Sequence, residues 1–289
     1  KVVVLPTEKI STMTREKESM YYADPGLFRW QEPCRLAVEA ALDGFSFAVS
    51  DLSGLRLGAG RVPIAFPGSR QRLLERTVRF FETVQPFSAL HFERVDLIRL
   101  DEEFTVVPRD FFEADKRNDL LSFSQGYPVR SEVLWRAVGS AVCIFPAEEE
   151  LSSYFASRCR RVEQHHSMEL FLQNACSNAS AQGRSLHLNA AGGYLQTVVL
   201  QGREPVLANV FRLRRPADPV YYLTLAAART KTDLSAADCV FYGDPQVYFD
   251  NRRQFERCVG RGRFRPRNFT GVEQKKHHKP VDFLPAGPI

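Results

Sequence analysis

Apolar and polar positions alternate in three successive short segments, residues 34–40, 45–49 and 55–64. Alternation puts every second side chain on one face of a strand, so these segments read as half-buried strands. Turns at Asp43-Gly44 and Ser53-Gly54 join them, and Pro63 and Pro67 close the meander. The period then lengthens. Leu73, Leu74, Val78, Phe81 and Val84 recur at helical spacing through residues 69–84, with arginines and glutamates between them. Farther on, residues 92–100 and 104–107 are predicted strands, 108–124 partly helical and 141–145 a short buried strand. Residues 148–158 and 165–178 are predicted helices, and the whole order describes a mixed α/β protein.

The opening pattern recurs about 150 residues later. Residues 36–45 can be laid over 186–194 with one residue of slack, and both stretches continue as alternating strands, 45–49 and 195–200. Each then turns at a glycine, Gly54 or Gly202, into a third strand, which in the second copy is 205–213. A helix follows, for which Asp218 is the predicted N-cap and Pro219 the first helical residue. A strand at 239–242 completes the second unit.

Composition narrows the class. With 289 residues, 44% hydrophobic and 25% charged, the chain has room for about two domains and is unlike collagen, coiled coils or disordered chains. No apolar run approaches the ~20 residues of a membrane helix, and residues 1–30 lack the apolar core of a signal peptide, so a cytoplasmic location is expected. Six cysteines form no CxxC pair and are expected to be reduced and mostly buried. The net charge of +5 is concentrated at one end. Residues 252–279 hold ten basic residues against Glu256 and Glu273, a local +8 that leaves the remainder at −3. Past about Arg263 the composition predicts a weakly ordered basic extension.

A duplicated strand-strand-strand-helix-strand unit resembles the actin, Hsp70 and sugar-kinase superfamily, whose two ribonuclease-H-like lobes hold ATP in the cleft between them. One branch is more similar, a bacterial family of unknown function with an actin-like fold. Asn209-Val210-Phe211, Asp218, Tyr221-Tyr222-Leu223 and Val240-Phe241-Tyr242-Gly243 resemble its second lobe. Residues 36–47, with Asp43-Gly44-Phe45, and 104–112, around Val107-Pro108, resemble its first. The likeness covers roughly residues 34–259. It implies an α/β fold of two ribonuclease-H-like lobes with mixed sheets flanked by helices. The expected layout is an N-terminal arm at 1–33, lobes at 34–184 and 185–262, and a basic tail at 263–289.

In active members of that superfamily the first hairpin of each lobe carries an Asp and a Gly that face the phosphates and hydrated Mg²⁺, since a carboxylate orders the metal's water and a glycine lets backbone N–H groups approach phosphate. Here the corresponding positions are Glu39 and Ala41 in the first lobe and Asn189 and Ala191 in the second. The adenosine loop usually has two glycines, where this chain has Gly243 and Asp244. The resemblance therefore implies a vestigial nucleotide site at Glu39, Asp43, Gly44, Asn189, Gly192, Gly193, Gly243 and Asp244, with no catalytic residue and no required cofactor. The alternative is an ATP-binding enzyme in which Asp43 and Gly192-Gly193 form a shifted phosphate loop.

Other chemistry is sparse. His165-His166 with Glu169, and His277-His278, lack metal-ligand spacing and read as a solvated helix start and a polar tail. No G-x-S-x-G elbow or nucleophilic cysteine motif is present. Tyr221-Tyr222 are expected to pack their helix rather than stack a ligand. Around Phe264, the candidate RNA contacts are Arg261, Arg263, Arg265 and Arg267. A protein partner is expected by analogy with superfamily relatives that act as adaptors.

Overall fold

The computed structural model describes residues 20–23, 32–64, 69–85 and 87–264. In chain order the strands are β1 (Met20–Ala23), β2 (Cys34–Ala41), β3 (Gly44–Asp51), β4 (Arg56–Pro63), β5 (Phe92–Arg99), β6 (Thr105–Pro108) and β7 (Val133–Val138). They continue with β8 (Ala141–Pro146), β9 (Cys159–His166), β10 (Arg184–Ala191), β11 (Tyr194–Gln201), β12 (Glu204–Arg212), β13 (Asp238–Gly243) and β14 (Arg261–Phe264). The α-helices are α1 (Arg70–Thr83), α2 (Arg117–Gln125), α3 (Glu149–Ala156), α4 (Ser167–Asn178), α5 (Asp218–Arg229), α6 (Pro245–Phe249) and α7 (Arg252–Cys258). They form two compact units, residues 1–100 with 148–165, and residues 101–147 with 166–289. The second unit includes α4 and the segment 101–147.

The first unit is built on a six-stranded sheet in the order β1-β4-β3-β2-β5-β9. Leu36, Val38, Ala40, Phe45, Phe47 and Val49 point to one face and join Leu73, Phe80 and Phe81 of α1 in a single core. That core is aromatic: Phe47 meets Phe80 at 5.0 Å and Phe87 at 4.8 Å between ring centroids. Ser69 starts α1 by accepting a hydrogen bond from the N–H of Arg72. Within the expected N-terminal arm, β1 pairs antiparallel with β4 as an edge strand. Residues 1–19 lie outside the described residues.

β7 and β9, like β1 and β14, lie outside the strands the sequence pattern predicts. The helix predicted at 165–178 is α4, but it begins at Ser167, and residues 165–166 end β9, with His166 as the helix N-cap. Their strand is an edge whose charged side chains pair sideways, Arg160 with Glu93 and His165 with Asp96, so no apolar alternation announces it. β7 was also unsignalled; Arg136 and the exposed Trp135 interrupt its apolar run.

The second unit's main sheet has the order β12-β11-β10-β13-β14. Leu186, Leu188, Ala190, Leu195 and Val199 face Leu223 and Ala226 of α5, Tyr248 of α6 and Phe255 of α7. α4 covers the opposite face, where Phe171 meets Tyr242 edge-on at 5.5 Å. A separate three-stranded sheet, β6-β8-β7, carries α2, with Leu121 buried against Val133, Val142 and Ile144.

The two large sheets share a plan. In the first, β2 is antiparallel to β3 and parallel to β5; in the second, β10 is antiparallel to β11 and parallel to β13. The match needs no slack, since Ala41 pairs with Gly44 and Ala191 with Tyr194, each pair enclosing two residues. At the far end of each parallel pair the same bond recurs: Leu100 N–H donates to the Ala40 carbonyl at 2.9 Å, and Asp244 N–H to that of Ala190 at 2.8 Å.

Asp218 is the first residue of α5 rather than its N-cap. Its carboxylate turns backward and accepts from the N–H groups of Arg214 and Arg215, fixing the turn ahead of the helix. Tyr222 stacks on Phe211 with centroids 4.2 Å apart, as expected of a packing aromatic, while Tyr221 stays largely exposed.

Candidate functional site

Glu39 and Asn189 hold equivalent places in the two sheets. Each lies on the central strand, two residues before its end, among neighbours that alternate into the helix-facing cores, so each points to the opposite face. Both are buried, and across the hairpin Glu39 is aligned with Ser46, Asn189 with Gln196.

In the second unit that cross-strand pair is joined by one hydrogen bond, which leaves Asn189 Oδ1 and Gln196 Nε2 buried without partners. The amide of Asn189 donates to the Gln196 side-chain oxygen, which also accepts from the hydroxyl of Ser167 in the first turn of α4. Asn189 Oδ1 turns toward β13, where it would lie 2.7 Å from a Cβ on Gly243. Gly243 has φ +89°, and a side chain there would also meet the Ala190 carbonyl oxygen at 2.0 Å, so only glycine fits. The fold thus brings Asn189 and Gly243 together, and the amide fills the space beside the glycine.

The remaining candidates serve the backbone. Asp43 forms an ion pair with Arg61, and its carbonyl accepts from Ile64. At Gly44, φ +143°, a Cβ would lie 2.2 Å from the Val62 carbonyl oxygen. Gly192 and Gly193, with φ of +58° and +80°, are the two central residues of a tight hairpin, the conformation a right-twisted antiparallel pair prefers. Asp244 caps α6, its Oδ1 accepting from the N–H of Gln246 at 2.9 Å. Arg261 and Arg263 belong to β14, which runs parallel to β13, so the chain is a strand to Phe264 where an extension was expected from 263. Arg265 and Arg267 lie outside the described residues.

His166 departs from the expected solvated helix start. It is fully buried, its ring stacks on Phe104 at 4.7 Å, and its Nδ1 accepts the N–H of Met168 to cap α4. Among the described residues no cluster of three or more His, Cys, Asp or Glu side chains could hold a metal. The cysteines are all free. Burial, helped by the nearby Asp238, pushes the Cys239 thiol up to about 12, and burial likewise raises Cys143, so neither is a ready nucleophile. Ser167 and Gln196 were not singled out from sequence. A two-residue turn at Gly192-Gly193 implies that 189 faces 196, and that register was the available signal.

The paired sheets and their helices are those of the actin-like ATPase fold. A Bacteroides thetaiotaomicron protein with an actin-like ATPase fold and unknown function superposes with a TM-score of 0.70 at 13% identity, over 81% of this chain and 91% of that one. The PilM–PilN type IV pilus biogenesis complex gives a TM-score of 0.56 at 12% identity, over 81% of this chain and 88% of that one. By sequence, the chain belongs to the DUF3822 family, a protein family of unknown function whose model matches residues 29–255. No curated protein matches the sequence. No helix among the described residues is long and apolar enough to cross a membrane.

Proposed function

We propose that this chain keeps the actin-like fold with a degenerate nucleotide site and works as a non-catalytic interaction or scaffold module. The observation that carries this reading is Asn189. Where the superfamily resemblance calls for a carboxylate, the chain has a neutral amide tied to Gln196 and set against Gly243. Mg²⁺ is held best by anionic oxygens, and Asn189 Oδ1, although buried without a hydrogen-bond partner, brings no charge to a hydrated cation. Asp43, engaged with Arg61, and Asp244, capping α6, have structural work of their own. These residues do not fit a Mg-ATP site.

The same reading takes the two sheets as copies of one ancestral unit and the protein as bacterial and cytoplasmic. A protein partner is supported by analogy with PilM, seen in a complex with PilN. The alternatives are an ATP-binding enzyme with non-standard loops and an RNA-associated protein using the basic tail. Phosphate release from Mg-ATP separates the first from our reading. Release should stay at the level of buffer. Release proportional to protein concentration and abolished by Asn189→Leu would overturn the proposal. Electrophoretic mobility with RNA at low salt decides the second alternative, for which a shift lost on Arg265→Glu and Arg267→Glu is the positive result.

A further inference from the structure

The segment 101–147 carries an unusual surface. Phe111 is 75% exposed and Phe123 is 90% exposed. Phe123 lies on α2 one turn beyond Asp119, and Tyr127 lies one turn farther on, just past the Gly126 cap. Isolated exposed apolar residues are ordinary, but two phenylalanines this bare within thirteen residues of one another are not.

The segment that carries them is acidic. Residues 101–147 hold eight acidic and five basic residues, a net −3. Two of the nearest cations are already engaged. Lys116 bridges to Glu113 at 2.6 Å, and Arg117 donates to the carbonyls of Val133 and Ala114. Asp110, Asp115 and Asp119 are exposed and take part in no ion pair among the described residues.

Strand addition is disfavoured beside this surface. The β7 carbonyls of Val133 and Trp135 accept from the guanidinium groups of Arg117 and Arg136, which occupy acceptors an added strand would need. An occupant would therefore bind through side chains, with positive charge and aromatic or aliphatic groups.

The chain itself contains such an occupant. Residues 265–289 follow β14, which belongs to the same unit as this surface. They include Arg265, Arg267, Lys275, Lys276 and Lys279 against Glu273 and Asp282, a net +3, together with Phe269 and Phe283. Twenty-five extended residues reach up to about 80 Å, more than a domain's width, so tether length sets no barrier. A tethered ligand also meets its site at a high effective concentration, and modest affinity suffices.

We propose that residues 265–289 dock on the acidic aromatic surface formed around Phe111, Asp115, Asp119 and Phe123 of the same chain. The inference is independent of whether the fold binds nucleotide.

The test uses the full chain at low micromolar concentration with a photo-crosslinking amino acid at position 123, an exposed site that tolerates replacement. A second protein carries the crosslinker at position 206, also exposed but elsewhere in the same unit. Mass spectrometry should find intramolecular crosslinks from 123 to peptides within 265–289, at several times the yield seen from 206. The yield should fall severalfold between 20 mM and 500 mM salt, as screening shortens the Debye length. It should fall similarly with Asp115→Lys and Asp119→Lys. Equal labelling from 123 and 206, absence of tail peptides, or crosslinks found only between two copies would overturn the proposal.

Discussion

Replacing Gly243 with alanine tests the tight approach of β13 to β10 on which the candidate site rests. Two costs combine. At φ +89° an L-residue is held in a region that costs roughly 1–2 kcal/mol. The added Cβ would also fall 2.0 Å from the Ala190 carbonyl oxygen and 2.7 Å from Asn189 Oδ1, and neither backbone nor pinned amide can move far. Forcing extra atoms into such a place costs roughly 1–3 kcal/mol more. Gly243→Ala should therefore lose about 2–5 kcal/mol, a large part of a typical folding free energy of about 5–15 kcal/mol. Gly126→Ala supplies the control. Its φ is +76°, but nothing lies within 4 Å of its Cβ position, so it carries only the conformational cost. Urea denaturation of both variants reads the difference. Equal losses in the two would refute the close approach and with it the packing of Asn189 against Gly243.

Three further outcomes are expected. Burial alone would raise the Asp96 carboxyl, but hydrogen bonds from His165 and Arg94 outweigh it and hold the group below the usual carboxylate value. The native state thus binds this proton less readily than the unfolded chain, so the stabilisation is complete above about pH 4 and is lost as the pH falls further. The denaturation midpoint of wild type minus that of Asp96→Asn should shrink between pH 5 and pH 3; a constant difference would contradict the assignment. With its thiol pushed up to about 12, Cys239 should resist iodoacetamide at pH 8 in the folded protein and react once the chain is unfolded, as peptide mapping would report. Asp218→Ala should cost about 1 kcal/mol by freeing the N–H groups of Arg214 and Arg215, and an unchanged urea midpoint would count against that turn.

Both hairpins could be read from the sequence because each central strand has one face in a helix-covered core, which imposes strict alternation on residues such as Leu36, Val38 and Ala40 or Leu186, Leu188 and Ala190. The shared plan followed from that alternation. Edge strands were hidden for the converse reason. β9 has a sequence of Cys-Arg-Arg-Val-Glu-Gln-His-His, and its stability comes from neighbours on β5 that are far away in sequence. His166 misled because a buried histidine that caps a helix looks, in one dimension, like a polar helix start. The candidate site was half legible. Resemblance pointed to Glu39 and Asn189, but the Ser167–Gln196–Asn189 chain depends on α4 settling over the sheet, which no local pattern encodes.

Thermal unfolding with and without millimolar Mg-ATP tests the central claim most directly. A nucleotide present at 100 times its dissociation constant would stabilise the native state by about 2.7 kcal/mol, a shift of several degrees for a chain of this size. An unchanged midpoint with ATP and ADP is the result the proposed loss of nucleotide binding predicts. A rise of several degrees that saturates with Mg-ATP would contradict it.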